Sequence, residues 1–222
     1  MNTLTRKLIA KELYVNRWMV AGGAISGVLS VLIATLGKTG FNVGGLTWLT
    51  TIIAVGVMLA LYGIMYERKE HALLFVMSLP LSIAGYVRAK VVGLALCFLV
   101  VWLTSSAAAL LLVFAKAGIP DGLAPYMILL CVFMLANFAV VLCGTLQARS
   151  EAATSAIIVI TNMGVSIFMF TVGPQPGIAE HMWAPHPVWN STFWTVLACE
   201  LAVLAIAFAL PFFLAARRRD FI

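Results

Sequence analysis

The chain has 222 residues, of which 63% are hydrophobic and only 10% are charged, and its formal net charge is +6. A soluble domain carries about 25% charged and about 45–50% apolar residues, and a soluble chain of this size cannot keep so large an apolar surplus out of water. Disorder is excluded by the same composition, because disordered chains are poor in hydrophobic residues, so the surplus faces lipid and the expected fold class is all-α integral membrane.

In chain order, the first seventeen residues carry Arg6, Lys7, Lys11 and Arg17 and precede the first long apolar run. A bilayer-crossing helix needs about 20 mostly apolar residues. Six runs meet that requirement, at about 18–37, 45–66, 91–115, 124–147, 152–172 and 192–215. The runs are continuously apolar rather than alternating, which argues for helices and against a membrane barrel. The first begins after the charged seventeen-residue segment, with no small-residue cleavage site following a short core, and reads as a retained helix rather than a signal peptide. It contains Gly23 and Gly27, a pair of small residues at helical spacing that permits close helix approach and marks a candidate dimer contact.

Gly37-Lys38-Thr39, at the far end of that run, has the form of the last residues of a phosphate-binding loop. Position 32, where the motif needs its first glycine, is Leu32, so no nucleotide site is expected in this chain.

The segment 67–90 is the most informative. A charged cluster, Glu67, Arg68 and Lys69, follows the second run, and a short apolar stretch contains Leu74 and Phe75. Ser78, Leu79 and Pro80 interrupt the backbone, Ser82 is placed to cap a new helix, and Tyr86 and Lys90 lead into the third run. This reads as a short interfacial helix, a break and a restart.

Further along, Asn137 and Asn162 fall inside the fourth and fifth runs. The loop 173–191 holds Glu180, His181 and His186 among prolines and tryptophans, in a spacing that fits no standard metal-ligand pattern. It reads as a proline-shaped cap with tryptophans at headgroup level, and no metal site is expected. Glu200 lies inside the sixth run, where a charged acid is costly unless it faces a bundle interior or an aqueous path. Glu200, Asn137 and Asn162 are therefore candidates for a substrate pathway, with a hydrogen bond from either asparagine to Glu200 as the structural alternative. The four cysteines all sit in apolar runs and form no CxxC pair, so they read as small hydrophobes.

Twelve of the fourteen Lys and Arg residues fall on one side of this topology, and only Lys38 and Lys116 fall on the other. Basic loops stay in the cytoplasm, so both termini and the 67–90 loop are expected there. The basic residues sit in short clusters between apolar runs, so nucleic acid is not an expected partner.

The 67–90 pattern resembles the cytoplasmic loop of ABC-2 type transporter permeases, through Glu67, Arg68, Lys69, Ser78, Leu79, Pro80, Leu81, Ser82, Tyr86 and Lys90. The closing Arg217-Arg218-Arg219-Asp220-Phe221 is similar to that family's basic end. The resemblance implies a six-helix bundle of ABC-2 permease type in a plasma membrane, that of a bacterial cell. It implies that the 67–90 loop docks on a separate ATP-binding cassette subunit, with ATP and magnesium bound there and no catalytic residue in this chain. It implies two permease copies, or a copy and a paralogue, per transporter. The N-terminal segment resembles the family's interfacial helix before the first span, although Glu12 falls beside Leu8 and departs from a clean amphipathic wheel. Export follows from the resemblance, and an amphipathic or hydrophobic substrate from spans rich in Phe, Met and Leu. The alternatives are a proton-linked secondary carrier using Glu200 and a non-transporting membrane assembly subunit.

Overall fold

A computed structural model of the chain describes residues 3–67, 82–116, 118–148 and 150–217. Among them are six helices long and apolar enough to cross a membrane. They are α1 (Thr3–Ala34), α2 (Gly37–Ala60, continued by a π-helical stretch Leu61–Tyr66), α3 (Ile83–Ala115), α4 (Ala124–Gln147), α5 (Glu151–Val172) and α7 (Ser191–Arg217), with the four-residue α6 (Pro176–Ala179) before the last. No strand occurs among the described residues.

Local sequence explains where the helices start. Ser82 accepts a hydrogen bond from the Gly85 amide at 3.1 Å and caps α3, as its position predicts. Ser150 does the same for α5 through Ala153 at 3.1 Å, and the Asn190 side-chain oxygen Oδ1 accepts from the Phe193 amide at 2.9 Å at the start of α7. Each satisfies an N–H that the first turn leaves without a partner. Pro125 sits in the first turn of α4, where a missing N–H costs nothing. Pro211 lies inside α7, which continues through it to Arg217. Gly37 turns the chain between α1 and α2 at φ 90°, in the left-handed region that only glycine enters freely.

One expected boundary moves. The polar N-terminal segment is not a separate interfacial helix but the first half of α1, a single helix of 32 residues. At 1.5 Å per residue it is about 48 Å long, well beyond the roughly 30 Å hydrocarbon core. Its buried residues Thr5, Ile9, Glu12, Asn16, Gly23, Gly27, Ser30 and Ala34 form one stripe from the polar half into the apolar half, and that shared stripe is why the helix does not break. α3 begins at Ile83, directly after its expected cap Ser82, so the helix extends eight residues ahead of the apolar run that starts at 91.

In lipid, helices gain little hydrophobic free energy from meeting one another, so close van der Waals packing and small residues hold the bundle. α1 packs along α2 and α3, while α4 is the hub that meets α2, α3, α5 and α7. Phe98 of α3 stacks on Phe138 of α4 with ring centroids 3.9 Å apart, surrounded by buried Ile52, Leu59, Leu94, Leu129 and Met134. α5 and α7 turn most of their apolar surface outward.

Gly23 and Gly27 belong to this internal packing. A Cβ on Gly23 would lie 2.6 Å from a Val55 methyl, and one on Gly27 would lie 2.6 Å from Ser105 Cβ. The small-residue face is spent within one chain, against α2 and α3, which corrects its expected role as a contact between copies.

Candidate functional site

Three of the residues singled out in the 67–90 segment, Glu67, Tyr86 and Lys90, come together where that segment leaves α2 and enters α3. The other candidates there, Arg68, Lys69, Leu74, Phe75, Ser78, Leu79 and Pro80, lie outside the described residues, and Ser82 serves as the helix cap. Lys90 is 3% exposed. Its ammonium lies 2.7 Å from Glu12 Oε1 and 2.7 Å from Glu67 Oε2. Lys11 closes the other side, 2.5 Å from Glu67 Oε1 and 3.6 Å from Glu12 Oε1. The Tyr86 hydroxyl donates to Glu67 Oε2 at 3.3 Å. The result is a four-charge cluster of zero net charge in which every anion touches two cations.

Three features of the helices build it. Tyr86 and Lys90 are four residues apart on α3 and share a face. The π-helical stretch at the end of α2 inserts extra backbone into a turn, a distortion often seen at functional positions, and Glu67 follows it directly. Gly93 lies one turn beyond Lys90, and a Cβ there would sit 2.8 Å from Glu12 Cβ. Only glycine at 93 lets α1 come near enough for Glu12 to reach the ammonium. The backbone around Glu12 is fixed as well, since its carbonyl accepts from Asn16 Nδ2 at 2.9 Å and from Cys97 Sγ at 3.8 Å.

An isolated buried charge is prohibitively costly, so Lys90 and Glu12 are retained at this depth only because each neutralises the other. Burial alone would push the Glu67 carboxyl upward, but Lys90 and Lys11 more than offset it and hold that carboxyl below the ordinary carboxylate range. The arrangement does mechanical rather than covalent chemistry. It ties Glu67 and Lys90, which flank residues 68–81 in the sequence, to α1.

Lys11 and Glu12 were not candidates from sequence. The signal was the one that spoiled the amphipathic wheel: an acid on the face that otherwise holds Thr5, Ile9 and Asn16.

The second group of candidates separates. Asn137 Nδ2 donates to Asn162 Oδ1 at 3.3 Å, and Asn162 Nδ2 donates to the Ile158 carbonyl at 2.8 Å. The pair borders a void of about 10 Å³ between α2, α3, α4 and α5, room for a single water. Neither asparagine bonds Glu200, contrary to the expected hydrogen bond. Glu200 faces α4 beside Cys131, is 6% exposed, and has no hydrogen-bond partner for either carboxyl oxygen among the described residues. Glu180, His181 and His186 do not gather, and no three metal-ligating side chains cluster among the described residues. The loop that carries them is pinned instead by Asn190 Nδ2 donating to the Gly177 carbonyl and by the Gly122 amide donating to Ala184.

No protein-family model and no curated protein matches the sequence.

Proposed function

We propose that this chain is the membrane-embedded permease subunit of an ATP-binding cassette transporter of the ABC-2 type. It exports an amphipathic or hydrophobic substrate from a cytoplasmic membrane, as a pair of permease copies. ATP is hydrolysed by a separate subunit, and the 67–90 segment and both termini face the cytoplasm. The observation that supports the reading most is the Glu12–Lys90–Glu67–Lys11 cluster. A loop that receives a push from an ATPase transmits it only if the residues flanking it are tied to membrane helices, and here Lys90 is tied to α1 through the buried Glu12 and Glu67 through the more exposed Lys11. The excess of Lys and Arg on that side supports the orientation.

The experiment is co-purification of this chain with a Walker-motif ATPase encoded beside it, with ATP hydrolysis measured in vesicles. Phe75→Ala is expected to weaken the complex by about 1–3 kcal/mol, as truncation of a buried anchor does, while neutralising Arg68 costs less than about 1 kcal/mol. An unchanged complex and unchanged hydrolysis in Phe75, Leu79 and Pro80 variants would make the segment a passive connector and remove the reading. A proton-linked carrier is the second reading, favoured by the one observation that Glu200 is buried in a span with no hydrogen-bond partner among the described residues.

A further inference from the structure

At the end of the bundle opposite the charge cluster, the helices part around two adjoining apolar chambers. One, of about 420 Å³, lies among the ends of α1–α4 with Trp48 and Leu130 in its walls. The other, of about 580 Å³, lies between the start of α2, the 116–123 turn and the 173–191 loop, which contributes Met182 and Trp183. Phe41 and Leu123 line both chambers, so the two adjoin at these side chains, which a bound molecule would pass on the path from one to the other. Each has the volume of a small-molecule site, about 300–1,000 Å³.

The polar groups along this path are few and asymmetric. Lys38 and Lys116 line the outer chamber, and no acid lines either one. Asp121 and Glu180 lie close in sequence to the lining residues Pro120 and Met182, yet neither pairs with a lysine among the described residues. Lys116 gives one hydrogen to the Thr35 carbonyl at 2.6 Å and keeps two more, while the Lys38 ammonium has no partner among the described residues. Deeper in, Asn42 and Tyr126 line the first chamber, and neither side chain is hydrogen-bonded by a described residue. The path is therefore cationic at its mouth, apolar along its length, and offers uncommitted donors inside.

That order matches one kind of molecule. We propose that these chambers bind a single-tailed anionic amphiphile, with its tail between α2 and α4 and its acidic head at Lys38 and Lys116. A neutral molecule would make no ion pair with either ammonium, and a zwitterionic head would bring its own cation beside the two lysines. A second copy of this chain could offer Asp121 or Glu180 to the lysines, but it carries no free apolar tail to fill the inner chamber. Binding requires no ATPase, so the site stands or falls separately from the transport reading.

The test uses the full purified chain in nanodiscs of zwitterionic lipid and a fatty acid carrying a photoreactive group on its tail, with cross-links mapped by peptide mass spectrometry. Cross-links are expected on α2 and α4, competed by unlabelled fatty acid and not by the alcohol of equal chain length. Lys38→Ala and Lys116→Ala are each expected to weaken binding by roughly two- to fivefold, the size of an exposed ion pair. Met127→Trp, which fills the inner chamber without touching the lysines, should abolish the cross-links. Native mass spectrometry of the extracted protein distinguishes the source. A retained fatty acid or anionic lysophospholipid points to the bilayer, and an empty chain that takes up added fatty acid points to free cargo; either supports the site, whereas retention of two-tailed phospholipid alone would overturn the single-tailed assignment. Cross-links spread over the lipid-facing sides of α5 and α7, equal competition by the alcohol, or unchanged affinity in both lysine variants would overturn it.

Discussion

The Lys90 ammonium sits 2.7 Å from a carboxylate oxygen of Glu12, a residue 78 positions earlier in the chain, and both side chains are almost wholly buried. Removing either partner alone strands the other charge, which typically costs about 3–5 kcal/mol. Lys90→Met is therefore expected to lower the melting temperature of the purified chain sharply. The double variant Lys90→Met, Glu12→Gln leaves only Glu67, which still has Lys11, and should recover much of the loss. Thermal melts of the parent, both single variants and the double variant give the coupling directly. Additive losses would mean that the two residues do not depend on one another.

Gly93 is the spacer that allows this pairing. A Cβ 2.8 Å from Glu12 Cβ meets side-chain carbons that a fixed backbone and a buried charge hold in place. Gly93→Ala is expected to destabilise by about 1–3 kcal/mol, as overpacking does, despite the better helix propensity of alanine. Gly22, with nothing near its Cβ, serves as control, and Gly22→Ala should be neutral or slightly stabilising.

Glu67 gives the cluster a pH dependence with a fixed sign. Its carboxyl is held below the ordinary range in the folded chain, so its contribution is complete at neutral pH and disappears as pH falls through that lowered value. Melting temperature should be flat above about pH 5 and fall below about pH 4, near the ordinary glutamate value. Glu67→Gln should be less stable than the parent at neutral pH and converge with it in acid. A constant difference across the range would show that Glu67 contributes no charge-dependent stability.

Six apolar runs and their helical state were legible because lipid exposure leaves a residue-by-residue mark on composition, and Ser82 as a cap was legible because its role is local. The cluster was only half legible. Glu67, Tyr86 and Lys90 lie in one short segment whose pattern is recognisable, whereas Lys11 and Glu12 reach them across the fold, and no local rule announces a partner 78 residues away. The length of α1 was missed for a related reason. Charges at Arg6, Lys7 and Lys11 read as the end of a helix in lipid, but the buried face beneath them runs on unbroken. Gly23 and Gly27 were correctly read as a close-approach face, yet sequence does not say whether the approaching helix belongs to the same chain. Glu200 was correctly read as burdened, and its expected asparagine partners pair with each other instead.

That burden supports the sharpest functional test in the spans. Glu200 makes no hydrogen bond with a described residue, so an apolar replacement removes a buried polar group without breaking any bond, and burying such a group unsatisfied costs about 1–3 kcal/mol. Glu200→Leu is accordingly expected to raise the melting temperature, whereas Glu200→Gln, which keeps an unsatisfied amide, should change it little. If the acid serves the passage of a substrate or proton, both variants lose transport, and Glu200→Leu gains stability while losing activity, the signature of a residue kept for function at a cost to the fold. Transport in vesicles measured beside the melts separates the cases. Full activity in Glu200→Leu across pH would remove Glu200 from the pathway and leave the proton-linked reading without its residue. A lower melting temperature in Glu200→Leu would show that the carboxyl gains an interaction in the assembled protein that a single chain does not supply.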